Sequence, residues 1–246
     1  MNQEARQVAI VTGASRGIGA ALAQRLAEDG YRVVVNYASN AAEAQRVLAT
    51  LHACGHQAIA VKADVANPEE VRALFDAAER ELGKVDVLVN NAGVLKTMPL
   101  ADTSDALFAQ TFGVNVQGTF HTLREAARRL NDGGRIVNFS TSVLAMKLPG
   151  YAIYAASKAA VEAMGAVFAK ELRGRRIRVN TVAPGPVATE LFFSGKTSEQ
   201  IEHFAKLPPL ERLGEPGDIA RIVSFLVSEE SGWVNGQVLR ANGGTI

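Results

Sequence analysis

The chain has 246 residues, of which 48% are hydrophobic and 21% are charged, and its 26 lysine and arginine residues nearly balance 25 aspartate and glutamate residues. This composition is typical of a globular protein, and the length fits one α/β domain over residues 1–246 better than two large domains. A formal net charge of +1, without basic runs, argues against nucleic acid and an anionic membrane surface as partners.

The N-terminus and the cysteine content bear on where the protein works. Residues 1–4 lack the basic start and apolar stretch of a secretory signal, and no apolar run reaches the roughly 18 residues that span a bilayer. The single Cys54 excludes an intrachain disulfide and a thiolate metal cluster and favours a reducing compartment. His52 and His56 lack further metal ligands nearby. We therefore expect a soluble, unprocessed, cytoplasmic protein that binds no metal.

Short β-branched segments alternate along the chain with alanine-rich helical segments. Continuous apolar runs of this length are typical of strands covered on both faces, as in a parallel sheet. Right-handed crossovers between such strands produce a doubly wound sheet of the Rossmann type, with helices on both faces. The predicted strands are residues 8–11, 32–35, 58–61, 85–89, 135–139 and 177–180, and a seventh is expected at 236–240.

Turn and capping residues separate these elements. A glycine that takes a left-handed conformation is expected to close four of the helices, and Asn67, followed by Pro68, is expected to begin another. The segment from Ala183 to Gly217 contains five prolines and no predicted strand. A connection of that length is typical of a lid or binding loop, so a substrate lid is predicted within about residues 188–215. The helix-closing glycines are Gly30, Gly55, Gly83 and Gly174.

A glycine-rich loop follows the first predicted strand and leads directly into a helix. Glycines permit a tight turn there and let backbone amides approach a pyrophosphate at the positive end of the helix. The Lys-Ser or Lys-Thr pair of a Walker loop is missing after the last glycine. The loop therefore predicts a dinucleotide site, and its cofactor-binding residues are Gly13, Ser15, Arg16, Gly17, Ile18 and Gly19.

The same loop also fits a second pattern. Residues 13–17 match the G-x-S-x-G elbow of serine hydrolases, with Ser15 as the nucleophile. That reading lacks a supporting motif around the candidate bases His121 and His203. It remains the alternative enzymatic interpretation of this loop.

The end of the second strand indicates which dinucleotide is bound. A carboxylate there would bind the ribose hydroxyl groups of NAD and repel the 2′-phosphate of NADP. Asn36, Tyr37, Ala38 and Ser39 include no carboxylate, and Arg16 adds a cation that can pair with a phosphate. We therefore predict NADP(H) rather than NAD(H), with these four residues in the binding site.

Tyr154 and Lys158 lie four residues apart in a segment with helical character. This spacing puts both side chains on one helix face. An ammonium there is expected to lower the phenol pKa by roughly 1 to 3 units, so that the phenol can exchange a proton with a carbonyl or an alcohol. Taken alone, such a pair is more often a packed ring and a lysine whose ammonium extends to solvent.

Four motifs together resemble the short-chain dehydrogenase/reductase family over essentially the whole chain. They are residues 12–19, 90–93, 154–158 and 184–185. The resemblance implies a single-domain oxidoreductase in which Tyr154 is the acid/base catalyst and Lys158 holds the nicotinamide ribose and depresses the tyrosine pKa. It also implies that Asn115 maintains a proton-relay water. The further cofactor contacts that it implies are Asp64, Val65, Asn90, Ala92, Gly93, Tyr154, Lys158, Pro184, Gly185, Val187 and Thr189.

One departure from the family pattern concerns the serine that orients the substrate. In the usual register this position falls on Thr141, whose hydroxyl can serve in the same way. A loop shorter by one residue would bring Ser142 there instead. Both residues remain catalytic candidates, although a regular strand would point them to opposite faces.

The sequence restricts the substrate only to a class. Mostly apolar candidate wall residues suggest a ketone, a quinone or an acyl ketone, and the resemblance also covers 3-oxoacyl carrier-protein reductases, naphthol-type reductases and sugar dehydrogenases. A carrier-protein substrate would need a basic docking patch, for which Arg124, Arg128 and Arg129 are candidates. The candidate wall residues are Leu95, Leu144, Met146, Lys147, Tyr151, Leu191, Phe192 and Phe193.

The resemblance also implies a homotetramer. Its contacts would lie on two long helices near residues 104–130 and 154–172. A redox-sensing or scaffold protein that binds the dinucleotide without turnover is the non-enzymatic alternative.

Overall fold

The computed structural model describes residues 7–246, so the prediction made for residues 1–4 lies outside the described residues. One sheet of seven parallel strands runs through the chain in the order β3-β2-β1-β4-β5-β6-β7. The predicted doubly wound fold class is confirmed, and strands begin or end at most four residues from their predicted positions. The strands are β1 Val8–Val11, β2 Arg32–Tyr37, β3 Ala58–Lys62, β4 Val85–Asn90, β5 Arg135–Phe139, β6 Arg178–Pro184 and β7 Val238–Ala241.

Helices cover both faces of the sheet. Leu22 and Ile219, from two helices on one face, belong to one apolar core with the strand residues on that side. Phe75 and Leu123 belong to a second core on the opposite face. The helices are α1 Gly17–Glu28, α2 Ala41–Ala53, α3 Pro68–Glu81, α4 Asp105–Phe112, α5 Gly118–Arg129, α6 Val143–Met146, α7 Ala152–Glu171, α8 Glu190–Phe193, α9 Ser198–Lys206 and α10 Pro216–Val227.

The predicted turn chemistry is present in the structure. The four helix-closing glycines have positive φ angles, as at Gly30 (φ 97°) and Gly83 (φ 101°). Asn67 begins α3 and its side chain accepts hydrogen bonds from the backbone amides of Glu69 and Glu70. The glycines thus fix where four helices end, and Asn67 fixes where α3 begins.

The first of the two predicted long helices is interrupted. Residues Gly113–Gln117 form a π-helical turn between α4 and α5. The resemblance to the family implied one long helix near residues 104–130 and gave no indication of this interruption. Such turns often mark functional sites, and Asn115 lies within this one.

The second long helix, α7, is the one described helix that is long and apolar enough by composition to cross a membrane. Its sequence contains no long uninterrupted apolar run, because charged residues interrupt the helix. A single helix of this kind is weak evidence, since helices of globular proteins meet the same criterion. Here α7 carries the buried Lys158 and lies against β6.

Candidate active site

A continuous groove runs along the carboxyl ends of the strands, where ligands bind in doubly wound sheets. The strand order changes direction between β1 and β4, and this leaves a crevice above the two strands. The more polar part of the groove, called the polar part below, is a space of about 540 Å³ beside the glycine loop. The other is a mainly apolar space of about 160 Å³ beside Tyr154. Both parts are lined by Ile18, Asn91, Gly93, Val94, Thr189 and Leu191.

The glycine loop between β1 and α1 is packed too closely for side chains. A Cβ on Gly13, which has a φ of 61°, would lie 2.9 Å from the Cα of Ala92. A Cβ on Gly19 would lie 2.1 Å from the carbonyl oxygen of Gly13. The loop is therefore restricted to glycine at these positions, and its backbone is exposed to the groove.

The N-terminus of α1 is free to bind an anion. Arg16, the residue before the helix, makes no side-chain cap, and the first turn contains no acidic residue. The unpaired amides and the helix dipole favour a phosphate group at this place. The loop and helix thus fit the pyrophosphate of a dinucleotide.

Most of the residues predicted to bind the cofactor line this groove. Those along the polar part are Gly13, Ser15, Arg16, Gly17, Ile18, Gly19, Asn36, Tyr37, Ala38, Ser39, Asp64, Val65, Ala92, Gly93 and Thr189. Those along the apolar part are Ile18, Gly93, Tyr154, Lys158, Pro184, Gly185, Val187 and Thr189, and the catalytic candidates Thr141 and Ser142 line it as well.

Two asparagines among the predicted contacts use their side chains elsewhere. Asn36 is buried, and its amide group accepts from the Gly13 backbone amide and donates to the carbonyl oxygens of Val61 and Ala63. It therefore supports the glycine loop from behind.

Asn90 does not line either part of the groove. Its side chain is buried and donates to the Oδ1 atom of Asn138 on the neighbouring strand. The next residue, Asn91, lines both parts, and its Nδ2 atom donates to the carbonyl oxygens of Thr12 and Gly13. Asn91, which was not among the predicted contacts, thus lines the groove where the Asn90 side chain does not.

Arg16, the cation predicted to select NADP, spans the mouth of the groove. Its Nη1 atom lies 2.9 Å from the Oε2 atom of Glu190 in α8, and both side chains are well exposed. Thr189 also lies against the glycine loop, since a Cβ on Gly17 would be 3.4 Å from its Cγ2 atom. The segment after β6 therefore touches the glycine loop at two adjacent points.

Tyr154 and Lys158 lie one turn apart near the start of α7, and both line the apolar part of the groove. The Lys158 Nζ atom is 6.0 Å from the centroid of the Tyr154 ring and donates to the carbonyl oxygen of Phe139 at 2.8 Å. The predicted arrangement on one helix face is thus present. The ammonium itself points at a backbone carbonyl.

The pKa values differ from the sequence-based expectation. Burial raises the pKa of Tyr154 to about 12, although a hydrogen bond with the Thr141 side chain acts in the opposite direction. Burial also lowers the pKa of Lys158 to about 8. The expected lowering of the phenol pKa by the ammonium is therefore wrong for this structure, because desolvation raises the pKa of Tyr154 and Lys158 is not among the groups that shift it.

The two candidate hydroxyls after β5 have different surroundings. The Thr141 side chain acts to lower the pKa of Tyr154, whereas the Ser142 Oγ atom donates to the carbonyl oxygen of Ala183 and accepts from Asn242. Ser140, on the other side of Thr141, donates to Glu162. Only Thr141 of these three is brought to the phenol.

Asn115 is buried and lines neither part of the groove. Its Oδ1 atom accepts from the Val94 amide at 2.9 Å, and its Nδ2 atom donates to the Val94 carbonyl oxygen and to Ser157 Oγ, both at 3.0 Å. The π-helical turn thus holds in place the segment after β4 that borders the groove. Ser157 was not singled out in the sequence, where a serine beside a lysine carries no distinct signal.

The apolar part of the groove has aromatic and aliphatic walls. Of the predicted wall residues, Leu95, Met146, Tyr151, Leu191 and Phe192 line it. Leu144, Lys147 and Phe193 do not, and Leu144 faces a separate cavity behind β5. Phe204 of α9 is an additional wall residue, and only the folding of the long segment back over the groove brings it there.

The other candidate chemistries find little support among residues 7–246. No histidine lines the groove with Ser15, since His121 contacts the carbonyl oxygen of Val65 and His203 packs against Phe204. Arg129 forms ion pairs with Asp76, Glu79 and Glu125, so this arginine is engaged within the protein. Groups of three or more potential metal ligands are also absent from this part of the chain.

Comparison with known proteins agrees with this arrangement. The family model described as enoyl-(acyl carrier protein) reductase matches residues 13–245. A short-chain type dehydrogenase/reductase of Picea abies is 49% identical, with 98% of this chain and 92% of that protein covered. A protein of Arabidopsis thaliana named NADPH-dependent aldehyde reductase-like protein, chloroplastic, is 47% identical, with 98% and 95% covered.

A solved structure shows the same fold. A short-chain dehydrogenase from Burkholderia cenocepacia, crystallised in complex with NADP, is 36% identical and superposes with a TM-score of 0.93. The match covers 99% of both chains. The fold, the glycine loop and the Tyr154–Lys158 pair agree with these similarities, which extend over nearly the whole sequence. The chain belongs to the short-chain dehydrogenase/reductase family of oxidoreductases.

Proposed function

We propose that the protein is an NADP(H)-dependent reductase that converts a carbonyl group to a secondary or primary alcohol. The observation that carries this proposal is the Tyr154–Thr141 hydroxyl pair at the junction of an apolar pocket with a phosphate-binding groove. This geometry suits an apolar carbonyl compound. Its carbonyl oxygen would contact the Tyr154 phenol, and its carbonyl carbon would face the polar part of the groove, where the cofactor would lie.

NADP(H) fits the residues of the polar groove. The uncapped start of α1 would hold the pyrophosphate, and the loop after β2 has no carboxylate that would repel a 2′-phosphate. Arg16 would pair with that phosphate after exchanging its present partner Glu190. The named Arabidopsis relative and the NADP-bound Burkholderia structure support this choice of cofactor.

The proposed chemistry divides between cofactor and protein. When bound, the reduced nicotinamide supplies a hydride to the carbonyl carbon. Tyr154 donates its hydroxyl proton to the carbonyl oxygen, and a pKa of about 12 keeps the phenol protonated for this purpose at neutral pH. Thr141 holds the phenol and the substrate oxygen together, and Ser142 serves the packing of β5. Lys158 holds the ribose hydroxyls, and Asn115 orders the border of the groove.

The substrate class follows from the walls of the pocket. Tyr151, Phe192 and Phe204 offer ring faces, and Met146 adapts to varied shapes. An aldehyde or ketone that carries an apolar or aromatic group fits this surface better than a sugar, which would need several polar partners. The engaged Arg129 removes one of the three candidate cations for docking an acyl carrier protein.

The segment of residues 188–215 is proposed to act as the substrate lid. A short parallel bridge between Val187 and Gly214 joins its two ends at the body of the domain. Between these points the segment contributes Thr189, Leu191 and Phe192 to the pocket wall. Movement about the bridge would open and close the pocket while leaving the sheet unchanged.

We further propose that residues 1–246 act as one domain within a homotetramer located in a reducing compartment, the cytoplasm. Phe108, Phe120 and Val167 are exposed on the helices expected to form the contacts, and Cys54 is a free, exposed thiol. Light scattering of the purified protein would report the mass of the assembly.

Titration with NADPH and NADH, followed by fluorescence, tests the cofactor assignment. We expect NADPH to bind at least about tenfold more tightly than NADH, because one charge-assisted phosphate contact is worth about 1.5–3 kcal/mol. Steady NADPH oxidation is then measured with apolar aldehydes, ketones, a quinone, a 3-oxoacyl thioester and an enoyl thioester. Turnover of the apolar carbonyls supports the proposal, whereas turnover of the enoyl thioester alone would overturn it. Binding of NADPH without turnover of any compound would favour the sensor alternative.

A further inference from the structure

The hydroxyl of Ser157 connects two parts of the active site. Ser157 lies on α7 between Tyr154 and Lys158 and has no exposed surface. Its Oγ atom donates to the backbone carbonyl oxygen of Tyr154 at 2.7 Å and accepts from the Nδ2 atom of Asn115 at 3.0 Å. Buried helix serines often bond to a carbonyl three or four residues earlier, so the first contact alone is ordinary. The second contact reaches a different element.

The hydrogen bonds of the Asn115 amide fix its orientation. Both Nδ2 hydrogens are used, one by the Val94 carbonyl oxygen and one by Ser157, while Oδ1 accepts from the Val94 amide. A reversed amide would place its nitrogen against the Val94 N–H and its oxygen against the Val94 carbonyl oxygen. The Ser157 hydroxyl can serve only as the acceptor here, because its own hydrogen is given to Tyr154.

The same amide borders the reactive side chains. A Cβ on Gly93 would lie 3.2 Å from the Asn115 Oδ1 atom and 3.4 Å from the Lys158 Nζ atom. Both groups therefore approach the same glycine. Gly93 and Val94 line both parts of the groove, so a shift of Asn115 moves the wall that faces the cofactor and the substrate.

We propose that Ser157 is a positioning residue that acts through Asn115. Its hydroxyl holds the π-helical turn and the Gly93–Val94 wall in register with the helix that carries Tyr154 and Lys158. Without it, one buried donor of Asn115 loses its partner, and the amide is held only by its two bonds to Val94. The expected change in kcat rests on the proposed reductase function. The expected loosening of the Gly93–Val94 wall rests on the hydrogen bonds alone.

Kinetics of three variants test the kinetic consequence with the carbonyl that the wild-type protein reduces best. Ser157→Ala is expected to lower kcat about tenfold or more, since small misplacements of reacting groups reduce rates strongly, with the NADPH Kd changed less than about threefold. Ser157→Thr keeps the hydroxyl and should recover most of the activity. Ser224→Ala is the matched control, because Ser224 is another buried helix serine that bonds to a distant side chain, Asp29. It should leave kcat unchanged.

A double-mutant cycle distinguishes action through Asn115 from an independent effect. If Ser157 acts through the amide, Ser157→Ala in an Asn115→Ala background lowers kcat by less than about twofold further. Fully additive losses of kcat in the double variant would overturn the proposal. So would a failure of Ser157→Thr, and of any other hydroxyl side chain at this position, to restore activity.

Hydrogen exchange gives a readout that needs no turnover. The Val94 amide donates to Asn115, so it should exchange faster in Ser157→Ala than in the wild-type protein and in Ser224→Ala. Unchanged exchange at Val94 would overturn the proposed link. If the wild-type protein reduces no carbonyl, the proposed function is refuted. The exchange rate of the Val94 amide still decides the role of Ser157 in that case.

Discussion

The Thr141 side chain acts on the Tyr154 hydroxyl and opposes the burial that raises the pKa of the phenol, whereas the Ser142 hydroxyl donates to the carbonyl oxygen of Ala183. The segment after β5 therefore presents threonine, and not the neighbouring serine, to the phenol. Ser142 already has helical backbone angles at the start of α6, and its hydroxyl points to Ala183 and Asn242. We propose that Thr141 shares the substrate oxygen with Tyr154.

Replacing Thr141 by valine keeps the shape of the side chain and removes its hydroxyl. We expect kcat/KM to fall by about a hundredfold, because a donor directed at the reacting oxygen is lost. Ser142→Ala should change kcat/KM by less than about threefold while lowering the melting temperature, since its bonds join β5 to Ala183 and Asn242. Steady-state kinetics and thermal unfolding of both variants test this, and equal kinetic losses in the two would contradict it.

The ion pair between Arg16 and Glu190 predicts that the lid competes with the cofactor. Glu190→Gln should free the guanidinium for a 2′-phosphate and tighten NADPH binding by about two- to fivefold, the range expected for one exposed ion pair. NADH affinity should stay the same. Glu199→Gln, at another exposed position of the lid, is the control. Titrations at low and high salt would show the effect shrinking with ionic strength, and weaker NADPH binding in Glu190→Gln would refute the competition.

Burial of Lys158 predicts a pH dependence of stability. Its pKa is lowered from 10.5 to about 8 in the folded protein, so between these values the unfolded chain binds more protons than the folded one. The free energy of unfolding should therefore rise with pH across this window, by at most about 3 kcal/mol from this group.

Denaturant titrations of the wild-type protein and of Lys158→Met at several pH values from 7.5 to about 10 measure this contribution. The stability of the wild-type protein should increase relative to that of the variant as the pH rises. Staying below about pH 10 avoids the opposite effect of Tyr154, whose raised pKa makes folding less favourable once tyrosine ionises in the unfolded chain. Parallel curves for the two proteins would show that Lys158 is not desolvated.

Local chemistry made most of the fold predictable. The β-branched runs mark strands because both faces of a parallel sheet are buried, and glycines such as Gly30 mark helix ends because they alone tolerate the left-handed conformation. Gly13 and Gly19 likewise reveal the phosphate loop through their close backbone contacts. These signals lie within a few residues of the features that they specify.

Tertiary packing explains what the sequence did not reveal. Phe204 reaches the pocket only because the lid folds back over it, and the buried amide of Asn36 serves the glycine loop only because β1 and β2 are neighbours. The pKa of Tyr154 also depends on how deeply the phenol is enclosed, and the spacing from Lys158 contains no such information. The π-helical turn at Asn115 is fixed by contacts with Val94, which is distant in sequence.

The proton donated by Tyr154 is the central element of the account, and Tyr154→Phe removes it while keeping the ring. The decisive measurement is a single-turnover reaction, in which enzyme with bound NADPH is mixed with excess carbonyl substrate and the decay of NADPH absorbance is followed. We predict a rate for Tyr154→Phe that is lower by a factor of about 10² to 10⁴, with the NADPH Kd nearly unchanged. A variant that oxidises NADPH as fast as the wild-type protein would contradict the account.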